Sequence, residues 1–172
     1  MATDTAVGTF GKGRRGISSL GWVVRGAAAG AAGTTALNTV TYLDMAIRGR
    51  GTSSAPEDTV ETLADKADVS IPGDEETRGN RVSGLGPLTG ILAGVGVGTA
   101  AGLVRAAGFR PPGWLGGVIA GIGAMVLTDG PMAALGISDP RTWSATDWAS
   151  DAIPHLAYGF VTHTTLAALD RL

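Results

Sequence analysis

The sequence contains no cysteine and few aromatic or charged residues. The absence of Cys from its 172 residues excludes disulfide bonds, cysteine nucleophiles and thiolate metal ligands. Charged residues make up 16% of the chain and aromatic residues 5%, whereas roughly 25% charged residues is usual for soluble domains. The formal net charge of −2 gives no indication of nucleic-acid binding.

Glycine, by contrast, is abundant, with 28 residues, and alanine is also common. A water-soluble core of Gly and Ala would bury little apolar area to offset the entropy of the chain. In a bilayer, small residues have a clear role, because they allow helix backbones to approach closely. The composition therefore predicts an all-α integral membrane helical bundle.

Four apolar segments are each long enough to cross a bilayer, which takes about 20 residues. We predict transmembrane helices at about 17–47, 85–107, 114–135 and 148–169. They form one membrane domain, 17–172, after a mobile polar N-terminal tail, 1–16. The first segment has an alternative interpretation as a signal peptide, because basic residues precede an Ala-rich run. Against this, it is longer than a signal core and lacks a clean cleavage site.

The stretch 49–83 is polar and carries more than half of the acidic residues. Ser54 and Glu57 have the spacing of a capping box, and apolar residues then recur at helical spacing up to Ala67. We therefore predict a short amphipathic surface helix at 57–68. It either covers the bundle or docks a protein partner, and we favour the first alternative.

Glycines repeat every four residues in two of the predicted spans. They are Gly90, Gly94, Gly98 and Gly102 in the second span and Gly113, Gly117 and Gly121 in the third. Residues four apart share one helix face, so each series makes a groove for another backbone. We predict a homo-oligomer, in the simplest case a dimer, with the second-span glycine face at or near the interface. The spacing leaves open whether that face instead meets a helix of the same chain.

Ionisable residues inside the predicted spans form a polar set. They are Asp44 in the first span, Asp129 in the third, and Asp151, His155 and His163 in the fourth. Such residues are costly in lipid and normally face the bundle interior or water. An interhelical hydrogen bond, a proton-linked or ligand role and, least favoured, a metal site are the alternatives. We predict Asp129 within hydrogen-bond or one-water reach of His155, with Thr128 or Tyr158 nearby.

A helix-breaking pair follows Asp129 directly. Proline has no N–H, so Pro131 leaves the carbonyl of Leu127 without its helical donor. Breaks of this kind in a membrane helix are tolerated where protein or water covers them. We therefore expect a kink near Pro131 and expect Asp129 to face the fourth span.

The positions of tryptophan and arginine indicate where the predicted spans end and which way the protein is oriented in the membrane. The four Trp residues lie near predicted span ends, where indole rings favour the membrane interface: Trp22, Trp114, Trp143 and Trp148. The basic residues divide almost evenly between the two sides. The connector "RAAGFRPP" is more basic than "SDPRTW", so we expect both termini in the cytoplasm and the protein in the plasma membrane.

The last third of the chain resembles a known family. Its motifs are a Gly-rich span that ends in Pro131-Met132 and Leu135-Gly136, followed by Asp151 and then His155-Leu156. In this order they resemble the C-terminal half of the YagU-like family of small bacterial inner-membrane proteins. The whole chain, with "PEDTVETLADKA" and "RPPGWLGG", is similar to small actinobacterial multi-pass membrane proteins of unassigned function. The acidic stretch after the first span departs from the YagU-like pattern. The resemblance implies a multi-pass membrane protein and supplies no catalytic residues.

Three classes of function remain. We favour a non-enzymatic scaffold or accessory subunit assembled through glycine-lined helix packing. The alternative is a small proton-linked channel or transporter that uses Asp129, His155 and His163, which would need an oligomer because four small helices enclose little space. A membrane enzyme is the least favoured class, since the sequence has no G-x-S-x-G, no P-loop and no recognised metal-ligand spacing. We expect no cofactor.

Overall fold

The computed structural model describes residues 18–171, and these form five α-helices and no strand. The helices are α1 (Ser19–Arg48), α2 (Ala55–Lys66), α3 (Glu75–Ala106), α4 (Gly113–Ala134) and α5 (Ala145–Leu169). A 3-10 turn, Pro140–Thr142, connects α4 to α5. The prediction of an all-α protein is confirmed. The predicted tail, 1–16, lies outside the described residues.

Two of the helices, α3 and α4, are long and apolar enough, by length and composition, to cross a membrane. Among residues 18–171, α1 and α5 have sufficient length, 30 and 25 residues, but do not reach the same hydropathy. Of the four predicted spans, these measures therefore support two.

The four long helices pack side by side in a row, with α3 and α4 at its two ends. α1 packs extensively against α3 on one side and α5 on the other, and α5 packs in turn against α4. α3 and α4 share few contacts, although they are consecutive in the chain. The order in the row is therefore α3, α1, α5, α4, and α2 lies against α3.

Glycine allows the close contact between α1 and α3. Gly26 and Gly30 of α1 both lie against Gly98, and Gly102 lies against the backbone of Trp22. Residues later in α1 contact residues earlier in α3, so the two helices are antiparallel. A methyl group on Gly98 or Gly102 would overlap the facing backbone. Glycine is required here because the backbones themselves are in contact.

Only some of the glycines in the two predicted series lie at contacts between helices. Gly90 is exposed and faces open space, and so does Gly113, whereas Gly117 and Gly121 meet α5. The rest of the second-span series faces α1 of the same chain, which is the alternative that the spacing left open. A homo-oligomer with its interface at or near this face stays a prediction.

α3 begins at Glu75, so it includes the polar residues 75–83, which precede the predicted span 85–107. Asp74 caps the helix, since its side chain accepts a hydrogen bond from the backbone N–H of Thr77 at 2.9 Å. The polar first turns of α3 are held by α2. The ion pair between Arg78 and Glu61, 2.6 Å long, joins the two helices.

The predicted surface helix 57–68 is present as α2, but its capping box does not form. The hydroxyl group of Ser54 donates to Asp58 at 2.9 Å instead of accepting from the helix backbone. α2 packs against α3, with Pro56 and Glu57 next to Gly86. Docking of a partner protein through α2 stays a prediction.

Candidate functional site

The candidate site lies between α4 and α5, toward the end of the row opposite residues 18 and 171. Glycines bring the two helices together there. Gly159 lies against the backbone of Gly117 and Gly121, and Gly121 lies against the backbone of His155. This close approach places the polar side chains in the C-terminal third of α4 beside those in the N-terminal half of α5.

The start of α5 is fixed by a capping box that the sequence analysis missed. Ser144 accepts from the backbone N–H of Asp147 at 3.2 Å, and the carboxylate of Asp147 accepts from the backbone N–H of Ser144 at 2.9 Å. The signal was present as Ser-Ala-Thr-Asp, which has the spacing of a capping box. With this start, Asp151 and His155 lie four residues apart on one face of α5.

His155 is buried and contacts both helices. Its Nδ1 lies 2.9 Å from the backbone carbonyl of Asp151 and 3.4 Å from the Asp151 carboxylate. Its Nε2 lies 3.4 Å from Oγ1 of Thr128. A carbonyl oxygen can only accept, so this geometry assigns a proton to Nδ1. His155 therefore links α4 and α5 through polar contacts in the interior of the row.

Asp129 is 7% exposed and lies beside the carboxyl group of Asp151. The two carboxyl groups interact electrostatically. Among the residues 18–171, Oδ2 of Asp129 and Oδ2 of Asp151 are buried and receive no hydrogen bond from any donor. Like charges held close together repel each other, which adds to the cost of burying an acid. The two residues therefore form a buried acidic pair with an unused oxygen on each side chain.

The predicted hydrogen bond between Asp129 and His155 is not formed. The two side chains interact electrostatically, but the ring nitrogens of His155 contact Asp151 and Thr128. Of the two predicted neighbours, Thr128 and Tyr158, Thr128 is the one that contacts His155 from α4. Tyr158 points instead to α3, where its hydroxyl group donates to a backbone carbonyl at 2.6 Å. A water bridge between Asp129 and His155 stays a prediction.

Pro131 lies in the last turn of α4, and the helix continues through it to Ala134. The proline is therefore near a helix end, where fewer backbone hydrogen bonds depend on its missing N–H. Asp129 lies one turn inside this end and faces α5. The carbonyl of Leu127, four residues before Pro131, still lacks the helical donor that any other residue would supply.

Two members of the predicted polar set lie elsewhere. Asp44 is near the end of α1, where it forms ion pairs with Arg48 at 2.5 Å and Arg50 at 2.6 Å. The ring of His163 lies against Gly116, near the opposite end of α5. The site is therefore the acid–histidine cluster formed by Asp129, Asp151 and His155 with Thr128. His163 and Asp44 do not belong to it.

A metal role gains no support from the geometry. Within residues 18–171, no group of three or more His, Asp or Glu side chains is arranged to hold a metal ion. Carboxyl oxygens and an imidazole are metal ligands in principle, but the ring nitrogens of His155 already contact Asp151 and Thr128. Acids and histidines inside membrane proteins commonly belong to proton relays, so these side chains have the chemistry of a proton-linked role.

The fold and the site together define an all-α protein with two helices able to cross a membrane and a buried acid–histidine cluster. No protein-family model, no curated protein and no solved structure matches the chain. The resemblance to the YagU-like family and to actinobacterial membrane proteins therefore stays a prediction.

Proposed function

We propose that α1, α3, α4 and α5 all span the plasma membrane. From Trp22 to Asp44, α1 rises about 33 Å, and α5 rises about the same distance from Trp148 to Asp170, at roughly 1.5 Å per residue. The hydrocarbon core of a bilayer is about 30 Å thick. Both helices therefore have the length that α3 and α4 have, with tryptophan at one end of each apolar stretch.

We further propose that the protein is a non-enzymatic scaffold or accessory subunit that assembles as a homo-oligomer. The row of helices carries this proposal, because among residues 18–171 α4 and the part of α3 not covered by α2 have outward faces without a partner helix. Those faces are apolar, with Leu92 on α3 and Ile122 on α4 both exposed. Lipid covers such faces in a single chain, whereas further subunits cover them in an assembly.

Oligomeric state and contact face can be measured with single cysteines. The native chain has no Cys, so Leu92→Cys and Ile122→Cys each introduce one thiol on an outward face. We expect a mass of two or more chains in lipid nanodiscs and a disulfide between copies at one of these positions. Arg141→Cys is the control, because its side chain is 90% exposed in a loop away from the row. A single-chain mass with no disulfide at either outward position would contradict assembly.

A second candidate function, a proton-linked channel or transporter, is favoured by the acid–histidine cluster. A buried pair of acids next to a histidine is a known way to bind and release protons within a membrane protein. Within the described part of one chain the helices pack directly on each other through glycine. A path through the bilayer would therefore have to form between subunits.

Proton flux into liposomes separates the two functions. Asp129→Asn removes one acid of the cluster, and His163→Gln is the matched control because His163 lies outside it. The scaffold proposal expects no flux above that of protein-free liposomes. A flux that Asp129→Asn abolishes and His163→Gln retains would replace the scaffold proposal with the proton-linked function.

A further inference from the structure

Three arginines meet at the end of the row that carries residues 18 and 171. Arg25 comes from the start of α1, Arg105 from the end of α3, and Arg110 from the connector that follows α3. They surround Trp22 and Asp170. We refer to these five residues as the arginine cluster.

The contacts within the arginine cluster are specific. The guanidinium carbons of Arg25 and Arg110 each lie 5.8 Å from the centre of the Trp22 ring, within cation–π range. The Nε atoms of Arg105 and Arg110 both donate to the same carboxylate oxygen of Asp170, at 2.9 and 3.1 Å. Trp22 and Asp170 therefore hold the three guanidinium groups close together.

The arginine cluster has more positive charge than its own acid can balance. Asp170 is the one acid among these five residues, and it pairs with Arg105 and Arg110. Among the described residues, Nη1 of Arg25 is a buried nitrogen without a hydrogen-bond acceptor. Leaving a charged donor buried and unpaired costs free energy. An oxyanion bound here would remove that cost, and phosphate suits arginine because its oxygens accept paired N–H groups.

We propose that the arginine cluster binds the phosphate of an anionic phospholipid headgroup. This inference depends on the proposed membrane span of α1, which places Trp22 at the bilayer interface together with Trp114. Lipid phosphates lie at that level, and basic pockets between transmembrane helices bind anionic headgroups. The Ala- and Gly-rich part of α1 that follows Arg25 lies on the side where the acyl chains would be.

The test compares lipids and variants on the full chain purified in detergent. Thermal unfolding is followed while phosphatidylglycerol, phosphatidylcholine or inorganic phosphate is added. Phosphatidylglycerol should raise the unfolding temperature, and phosphatidylcholine should not. In Arg25→Gln, the phosphatidylglycerol concentration that gives half of the maximal shift should be about tenfold higher. This is the effect of losing one charge-assisted hydrogen bond. Arg171→Gln is the matched control, an exposed arginine at the same end, and should stay within about twofold.

Three results would overturn the proposal. The first is that phosphatidylglycerol stabilises Arg25→Gln as much as it stabilises the native chain. The second is that phosphatidylcholine raises the unfolding temperature as much as phosphatidylglycerol does. The third is that inorganic phosphate alone gives the same shift. Arg110→Gln, at a half-exposed position of the cluster, replaces Arg25→Gln if that variant does not fold. Labelling of single cysteines from either side of the membrane tests the spans separately. A chain that spans the bilayer without lipid selectivity contradicts the lipid site only.

Discussion

At the scale of single residues, the pair formed by Asp129 and Asp151 places two acids in the interior of the row. A charge at the bilayer centre costs roughly 2.5–3.5 kcal/mol on insertion scales. One hydrogen bond between spans returns only about 0.6 kcal/mol on average. One hydrogen bond therefore cannot offset an ionised acid, and a neighbouring acid of the same charge adds to the cost. The sequence suggested that Asp129 faces inward, but it could not show that a second acid, Asp151, interacts with it there.

The unused oxygen of Asp151 gives a prediction for Asp129. Asparagine can donate an N–H group to Oδ2 of Asp151 at any pH, whereas alanine supplies no polar group there. We expect Asp129→Ala to lower the free energy of unfolding by about 1–3 kcal/mol and Asp129→Asn to lower it much less. Thermal unfolding of both variants in detergent is the measurement. Equal destabilisation by the two substitutions would show that a polar side chain at position 129 does not pair with Asp151.

Asp170 predicts how the stability of the fold depends on pH. Burial opposes its ionisation, but hydrogen bonds from Arg110 and Arg105 outweigh burial and hold the pKa of Asp170 below its ordinary value. Because the pKa is lower in the folded chain than in the unfolded one, this carboxylate stabilises the fold fully at pH values above the ordinary pKa. The contribution is lost as the pH falls through the lowered, folded-state pKa.

The corresponding measurement is the unfolding temperature between pH 7 and pH 2 for the native chain and for Asp170→Asn. We expect the variant to be less stable at pH 7 and the two curves to converge at the acidic end. Asp139→Asn is the control, since Asp139 is 41% exposed and pairs only with Arg141 in its own loop. Parallel curves for the native chain and Asp170→Asn would contradict the assigned role of Asp170.

At the scale of helices, local signals predicted the elements better than their ends or partners. The four-residue spacing correctly places Gly98 and Gly102 on one face, since that is a property of helix geometry. It could not show that Gly90 faces open space, which depends on where α1 crosses α3. The early start of α3 was missed, although Asp74 followed by two glutamates is a typical helix start. The polar residues after Asp74 are helical because α2 packs against them.

The different environments of Gly98 and Gly90 make a matched test of glycine packing. A methyl group on Gly98 would overlap the backbone of Gly30, so Gly98→Ala must push α1 and α3 apart. We expect a loss of about 1–3 kcal/mol in the free energy of unfolding, as in other overpacked interiors. Gly90→Ala enters open space and should cause no loss, since alanine favours helix over glycine. Similar losses in both variants would mean that α1 and α3 do not pack through this face.

At the scale of the whole molecule, the order of the helices in the row was the least predictable feature. Short connectors indicate that consecutive helices alternate in direction, and the structure has this alternation. They do not determine lateral order, and α3 and α4 are hardly in contact despite a short connector. The order depends instead on long-range complementarity, such as the fit of Gly30 to Gly98. The charges also differ between the two ends of α3, with Arg105 in its last turn and Arg110 in the α3–α4 connector, whereas the acidic α2 packs near its first turns.

This difference in charge predicts the topology of the protein in a cell membrane. Basic residues in and next to short connectors favour the cytoplasmic side. Arg105 and Arg110 lie at the end of α3 and in the α3–α4 connector, whereas the α4–α5 connector has Arg141 alone. In intact cells that express single-cysteine variants, we expect a membrane-impermeant maleimide to label Ser53→Cys and Arg141→Cys. Phe109→Cys should react only after the cells are permeabilised.

The reagent can reach all three positions, because Ser53, Phe109 and Arg141 are exposed in the structure. The native chain has no cysteine, so each variant carries a single thiol. Labelling of Phe109→Cys alone in intact cells would reverse the orientation and retain four spans. Labelling of all three from the same side would mean that neither α3 nor α4 crosses the bilayer. In that case the apolar outward faces of these two helices would have to be covered by protein, since a water-exposed apolar surface of this extent promotes association.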